Sequence, residues 1–139
     1  MLLAVFLLSL GVGKAVDVYS TSAQRAREDE LVHVGSLYRE AIKDYYLSAP
    51  NGQHRYPLQL EDLLKDSRHL VTRRYLRRLY QDPMTAKMFT PLLSPQGGIW
   101  GVASTSSRAP IRAMTPAGVI LKQPPAQHYS DWQFVYDGT

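Results

Sequence analysis

The chain has 139 residues, enough for one ordinary domain with a real core. Its 45% hydrophobic and 20% charged content excludes a disordered chain, and the lack of cysteine excludes disulfides, thiolate metal sites and cysteine nucleophiles. The net charge of +4 allows attraction to anionic lipid or nucleic acid, but much of the excess lies in one cluster, Arg73, Arg74, Arg77 and Arg78.

The chain opens MLLAVFLLSLGVGKAV, apolar apart from Ser9 and Lys14, with no acidic residue before Asp17. A bilayer-spanning helix needs about 20 apolar residues, so this run is short for one. No Lys or Arg precedes it and no clear cleavage site follows, so it is a poor secretory signal. From Asp17 to Leu47 there is no proline and a single glycine, Gly35. Leu31, Val34, Tyr38, Ala41 and Tyr45 recur at helical spacing. Arg25 with Asp29, and Glu40 with Lys43, stand within helical pairing reach. These features predict one continuous helix to Leu47, roughly 70 Å long at 1.5 Å per residue. That exceeds what a domain of this size covers, so residues 1–24 are expected to project from a globular domain of residues 25–139.

Ser48-Ala49-Pro50-Asn51-Gly52 ends the helix. Leu60, Leu63 and Leu64 share a face, which predicts a short helix over 58–65. A second is predicted over 72–79, capped by Thr72, with Tyr75, Leu76 and Leu79 inward and the four arginines outward in two rows, Arg73 beside Arg77 and Arg74 beside Arg78. Beyond Asp82-Pro83, proline and glycine punctuate short β-prone runs. Strands are expected over 88–93, 99–104 and 132–136, with a fourth an option over 118–122. Gln96-Gly97-Gly98 suits a tight connection. Trp132, Phe134 and Tyr136 alternate with Gln133 and Val135, giving the last strand an aromatic face. The span 106–129 reads as proline-rich loop. A sheet with one apolar face needs a cover, and the second half of the helix provides it. The predicted class is α+β, a long N-terminal helix packed on a small antiparallel sheet.

Catalytic and metal chemistry finds little footing. His33, His54, His69 and His128 lack ligand spacing. Ser104-Thr105-Ser106-Ser107 lacks a nucleophile elbow. Gly11-Val12-Gly13 continues to Val16 instead of a third glycine, and is no dinucleotide fingerprint. Asp82 is expected to serve the turn before Pro83, and Asp131 to start the last strand. Tyr75, Trp100, Trp132 and Tyr136 read as core in preference to a base-stacking platform.

The words AQRAREDEL (23–31), YREAIKDYY (38–46), RYPLQLEDLL (55–64), RRYLRRLYQDPMT (73–85), GGIWGVAS (97–104) and YSDWQFVYD (129–137), in this order, resemble the type IV pilin superfamily. More closely the chain looks like a pseudopilin of bacterial type II secretion, as a divergent or minor member. The resemblance implies a non-enzymatic subunit, single-pass in the bacterial inner membrane with its globule in the periplasm. Its implied partners are other pseudopilins, inner-membrane secretion platform proteins and the lipid bilayer.

Assembly contacts are then expected at Leu2, Leu3, Val5, Phe6, Leu7, Leu8, Leu10 and Val12, and at the stalk charges Arg25, Arg27, Glu28 and Glu30. The small residues Ala4, Gly11, Gly13 and Ala15 permit close helix approach. The family's basic leader, its glycine cleavage point and its glutamate at the fifth mature position are not in this sequence. Met1 falls roughly where the early mature helix belongs, which leaves open a late-placed start, a shortened chain or a divergent member. Major pseudopilins bind calcium in an Asp-rich loop; residues 106–128 hold no Asp or Glu, so no cofactor is expected and calcium is the less favoured alternative. Arg73, Arg74, Arg77 and Arg78 read as a solvated face or as a patch for an anionic partner, a lipid headgroup or an acidic neighbour subunit. The rival reading of the whole chain is a pilin-like DNA-contacting module of an uptake apparatus, to which the same arginines would contribute. Nucleic acid is the less favoured partner.

Overall fold

The structure, a computed structural model, describes the backbone of residues 2–139 and the side chains of residues 20–139. It is α+β. Helix α1, Leu2–Leu47, is followed by 3-10 turns at Pro50–Gly52 and Leu60–Leu63. Strands β1 (Thr90–Leu93), β2 (Ile99–Ala103), β3 (Ile120–Leu121) and β4 (Trp132–Val135) follow, with a third 3-10 turn at Tyr129–Asp131. The four strands form one antiparallel sheet in the order β1-β2-β4-β3.

Each strand lies inside the run expected for it, trimmed at its ends. The fourth, an option in the sequence, exists as two residues pairing Ile120 with Gln133 and Leu121 with Trp132. β1 and β2 join through Gln96-Gly97-Gly98, where φ of 92° and 83° requires glycine at both positions. The register slips between Leu92 and Leu93, a bulge beside that turn.

The helix lies across β2 and β4. Its predicted stripe is the buried one: Leu31, Val34, Tyr38, Ala41 and Tyr45 all face the core, with Ile42 completing it. From the sheet, Val102, Trp132, Phe134 and Tyr136 meet that stripe. Gly35, the one glycine of α1 after Asp17, has a packing reason. A Cβ at Gly35 would stand 2.5 Å from ring atoms of Phe134, so the ring seats directly on the helix backbone. Alanine there has the better helix propensity, by about 1 kcal/mol, yet overpacking a tight interface costs about 1–3 kcal/mol. Gly35→Ala is expected to lower the melting temperature and Gly35→Val to lower it further, in a thermal melt of the full chain in non-ionic detergent.

Two helices read from the sequence are corrected. Residues 58–65 form only the 3-10 turn Leu60–Leu63, because Asp62 accepts from the Leu58 and Gln59 N–H groups at 3.1 and 3.3 Å and tightens the turn. Residues 72–79 form no helix. Their backbone donors are taken elsewhere: the Tyr75 and Leu76 N–H groups both donate to Leu63 O, at 2.8 and 3.1 Å. Arg73 and Asp66 exchange N–H to O bonds at 3.2 and 2.8 Å, an isolated bridge. Pairing with the preceding segment wins over local helix propensity, which is a weak preference. Leu76 is nonetheless buried, and Tyr75 and Leu79 half-buried, as the sequence suggested.

Candidate functional site

Three polar clusters fasten this small globule. In the first, Asp82 is completely buried just before Pro83. Its carboxylate accepts from Met84 N (2.8 Å), Ser104 Oγ (2.6 Å) and Thr105 N (2.9 Å). It serves the turn, as expected, and also ties that turn to the end of β2.

The second cluster holds the end of α1. Asp66 is 1% exposed and receives Arg68 Nε at 2.8 Å, Arg68 Nη2 at 2.9 Å and Tyr75 Oη at 2.8 Å. Burial alone pushes the Asp66 carboxyl up, but the hydrogen bonds from Arg68 and Tyr75, with the Arg68 charge, offset it and hold the group at about 2. Arg68 reaches further. Its Nη2 donates to Tyr45 O at 2.7 Å, and its guanidinium lies 3.6 Å over the Tyr45 ring. A cation thus meets a carbonyl of the last helical turn, where the helix dipole is negative. Nearby, the buried Tyr38 hydroxyl donates to Tyr80 O at 2.7 Å and is pushed up to about 12 by burial.

The third cluster lies at the other end of the globule's helix. Glu28 is 1% exposed, accepts from Tyr129 Oη (2.7 Å) and Ile111 N (2.9 Å), and forms an ion pair with Arg112 Nε at 2.9 Å. Arg112 also binds Asp29. One turn earlier, Gln24 Nε2 donates to Ala109 O at 3.2 Å and to Tyr129 Oη at 3.1 Å, while Arg108 Nη2 donates to Gln24 Oε1 at 2.9 Å. The proline-rich span 106–129 is therefore strapped down on α1.

The expected assembly residues fall into three groups. Leu2, Leu3, Val5, Phe6, Leu7, Leu8, Leu10 and Val12 lie outside the residues whose side chains are described. Arg25, Arg27 and Glu30 are exposed on α1, and Glu30 borders a groove of about 590 Å³ with Val34, Arg78 and Tyr80. Glu28 is placed differently from the expectation. It is an internal anchor for the strap, with no surface left for a neighbour. The neighbouring Asp29 likewise pairs with Arg112 instead of Arg25, because the strap brings a guanidinium to the helix. Glu40 and Lys43 do approach, at 3.9 Å.

The arginine patch is also rearranged. Without a helix, Arg73 and Arg77, or Arg74 and Arg78, do not form side-by-side rows. All four side chains are exposed. Arg74 turns back on its own segment, with Nε donating to Leu76 O at 2.9 Å and Nη2 to Arg77 O. Arg78 lies 4.9 Å over the Tyr80 ring. Among the described residues none of the four pairs with a carboxylate.

Trp132 and Tyr136 are buried, and Trp100 and Tyr75 half-buried against the same core. Asp131 sits at the 3-10 turn before β4 and accepts from the Gln127 and His128 N–H groups at 3.0 Å each. Among the described residues no three His, Asp or Glu side chains gather as a metal-holding group, and no helix is long and apolar enough to cross a membrane. No protein-family model, curated protein or solved structure matches this chain.

Sequence reasoning missed Asp66, Arg68, Arg112 and Tyr129 as fastening groups. For Glu28 a signal existed: it falls three residues before Leu31, on the backward continuation of the buried stripe. For Arg112, inside a loop with no periodicity, there was none.

Proposed function

We propose that this chain is a non-enzymatic pseudopilin: a bacterial inner-membrane subunit, with its globule in the periplasm, that joins a type II secretion filament and supports protein export. The observation that carries the reading is the relation of α1 to the globule. The helix has 46 residues, about 69 Å at 1.5 Å per residue. Its half after Gln24 covers the antiparallel sheet, while the sequence of its first half is an apolar run that needs a cover of its own.

Fully burying each leucine of that run is worth about 1.5–3 kcal/mol, so lipid or sister helices are the favourable surroundings. Residues 2–16 extend about 22 Å against about 30 Å of hydrocarbon, so anchoring calls for local thinning of the bilayer or for helix association. Identical subunits related by a rotation that does not close stack into an open helical array. Such a subunit has its implied partners in other pseudopilins and the secretion platform, and its work requires neither a cofactor nor a catalytic group.

Because the chain has no cysteine, introduced pairs report without background. Leu3→Cys combined with Leu10→Cys is expected to give an oxidative crosslinking ladder in membranes. Adding Val5→Asp and Leu8→Asp is expected to abolish both the ladder and membrane retention while the globule keeps its melting transition. A full chain that leaves the membrane fraction without detergent as a monomer overturns the reading.

A further inference from the structure

The whole positive excess of this protein sits on one short segment. Residues 65–78 carry six cations, Lys65, Arg68, Arg73, Arg74, Arg77 and Arg78, against the single carboxylate Asp66. The rest of the chain holds ten cations and eleven carboxylates, so it is close to neutral. The Asp66–Arg73 bridge closes this segment into a turn whose tip is Leu70-Val71. Leu70 is fully exposed and Val71 79% exposed, an aliphatic pair displayed amid cations. An open groove of about 400 Å³ runs beside the tip, walled by Pro50, Leu70, Val71 and Arg73 over Arg68 and His69.

Beneath that groove, and closed off from solvent, Arg68 Nη1 and His69 Nε2 have no hydrogen-bond partner among the described residues. His69 Nε2 stands 3.5 Å from Asp66, within ion-pair range but not hydrogen-bonded to it. Arg73, which pairs with no carboxylate among the described residues, and the exposed Leu70 and Val71 thus line one groove.

We infer that this turn is a docking site for a protein segment that offers carboxylates next to aliphatic side chains. The carboxylates complement Arg73 and the excess positive charge of the segment, to which Arg77 belongs, and the aliphatic groups cover Leu70, Val71 and Pro50. Each half of that chemistry excludes a rival. A nucleic-acid backbone supplies the charge but leaves Leu70 and Val71 in water, where apolar surface is unfavourable. An anionic bilayer supplies both, but Arg68 is bonded to Tyr45 O at the far end of α1. Along the helix that is about 44 Å beyond Val16, the last apolar residue of the N-terminal run. This last step alone rests on the anchored reading given above; the rest concerns the globule's own surface.

The test uses the full chain in phosphatidylcholine nanodiscs and the fluorescence anisotropy of a short fluorescein-labelled glutamate–leucine peptide. Saturable binding is expected at low salt and weaker binding at high salt. Arg73→Glu with Arg77→Glu is expected to weaken it about tenfold or more, by turning attraction into repulsion. Leu70→Ser with Val71→Ser is expected to weaken it about tenfold as well, by removing the apolar contact. All four side chains are exposed, and an unchanged melting transition verifies that each variant is folded. Polyglutamate of the same length is expected to bind less tightly than the mixed peptide.

The inference is overturned if the peptide does not bind, or if either pair of substitutions leaves its affinity unchanged. It is also overturned if duplex DNA, or nanodiscs containing phosphatidylglycerol, capture the turn more tightly than the peptide. Membrane crosslinking of the same variants separates the two readings. Peptide binding lost with the ladder intact locates the defect in this surface, and the reverse locates it in the anchor.

Discussion

Asp66→Ala is expected to lower the unfolding free energy by about 3–5 kcal/mol, the usual cost of leaving one member of a buried ion pair alone. The Arg68 guanidinium would lose two bonds to Asp66, and Tyr75 Oη its acceptor. The loss spreads because Arg68 also caps α1 through Tyr45 O. Urea titration of the full chain in non-ionic detergent measures it. Asp66→Asn keeps the shape and one acceptor oxygen, and should fall between wild type and alanine.

The same carboxylate sets an acid limit. Its folded value of about 2 lies below its ordinary value of 3.8. Between those values the unfolded chain binds the proton and the folded chain does not, so stability rises with pH across that window. The contribution is complete above about pH 4 and disappears as pH falls through about 2. In Asp66→Asn that part of the pH dependence should vanish. A wild-type profile flat from pH 4 to 2 would refute the assignment.

Glu28→Ala is the second large effect, at about 3 kcal/mol, because one substitution strands the Tyr129 hydroxyl and the Ile111 N–H and leaves the Arg112 guanidinium with Asp29 alone. Its signature should be local as well as global. With the strap released, trypsin is expected to cleave after Arg108 and Arg112 faster than in wild type, before the sheet unfolds. Arg112→Ala leaves the Glu28 carboxylate buried with only Tyr129 Oη and Ile111 N–H as donors; it deletes its own cleavage site and should open the one after Arg108. Equal cleavage rates after Arg108 in all three proteins would mean that Glu28 does not hold the span 106–129.

The two clusters differ in how much the chain betrays them. Glu28 continues the period that placed Leu31, Val34 and Tyr38 on one face, so its burial was legible, though it reads locally as one more stalk charge. Asp66 follows Leu63-Leu64-Lys65 with no pattern that separates it from Asp62, which remains partly exposed. What distinguishes them is Arg68 and Tyr75 arriving from later in the chain. The same late arrival undid the helix read over residues 72–79. Its local preference was real but small, and hydrogen bonds to Leu63 and Asp66 outweigh it. The arginines kept their exposure and lost their rows.

What the residues determined unaided was everything governed by short-range periodicity and backbone stereochemistry. That includes the helix to Leu47, the apolar stripe from Leu31 to Tyr45, the Gly97-Gly98 turn, and the aromatic face of β4 that needed a cover. Only the tertiary structure decided which strands are neighbours and why Gly35 must be small. It also decided that Arg112 reaches Glu28, and that the positive segment ends in a bare aliphatic tip. Those outcomes depend on groups distant in sequence meeting at 3–4 Å, where burial magnifies a charge or a missing partner and no local preference is strong enough to foretell it.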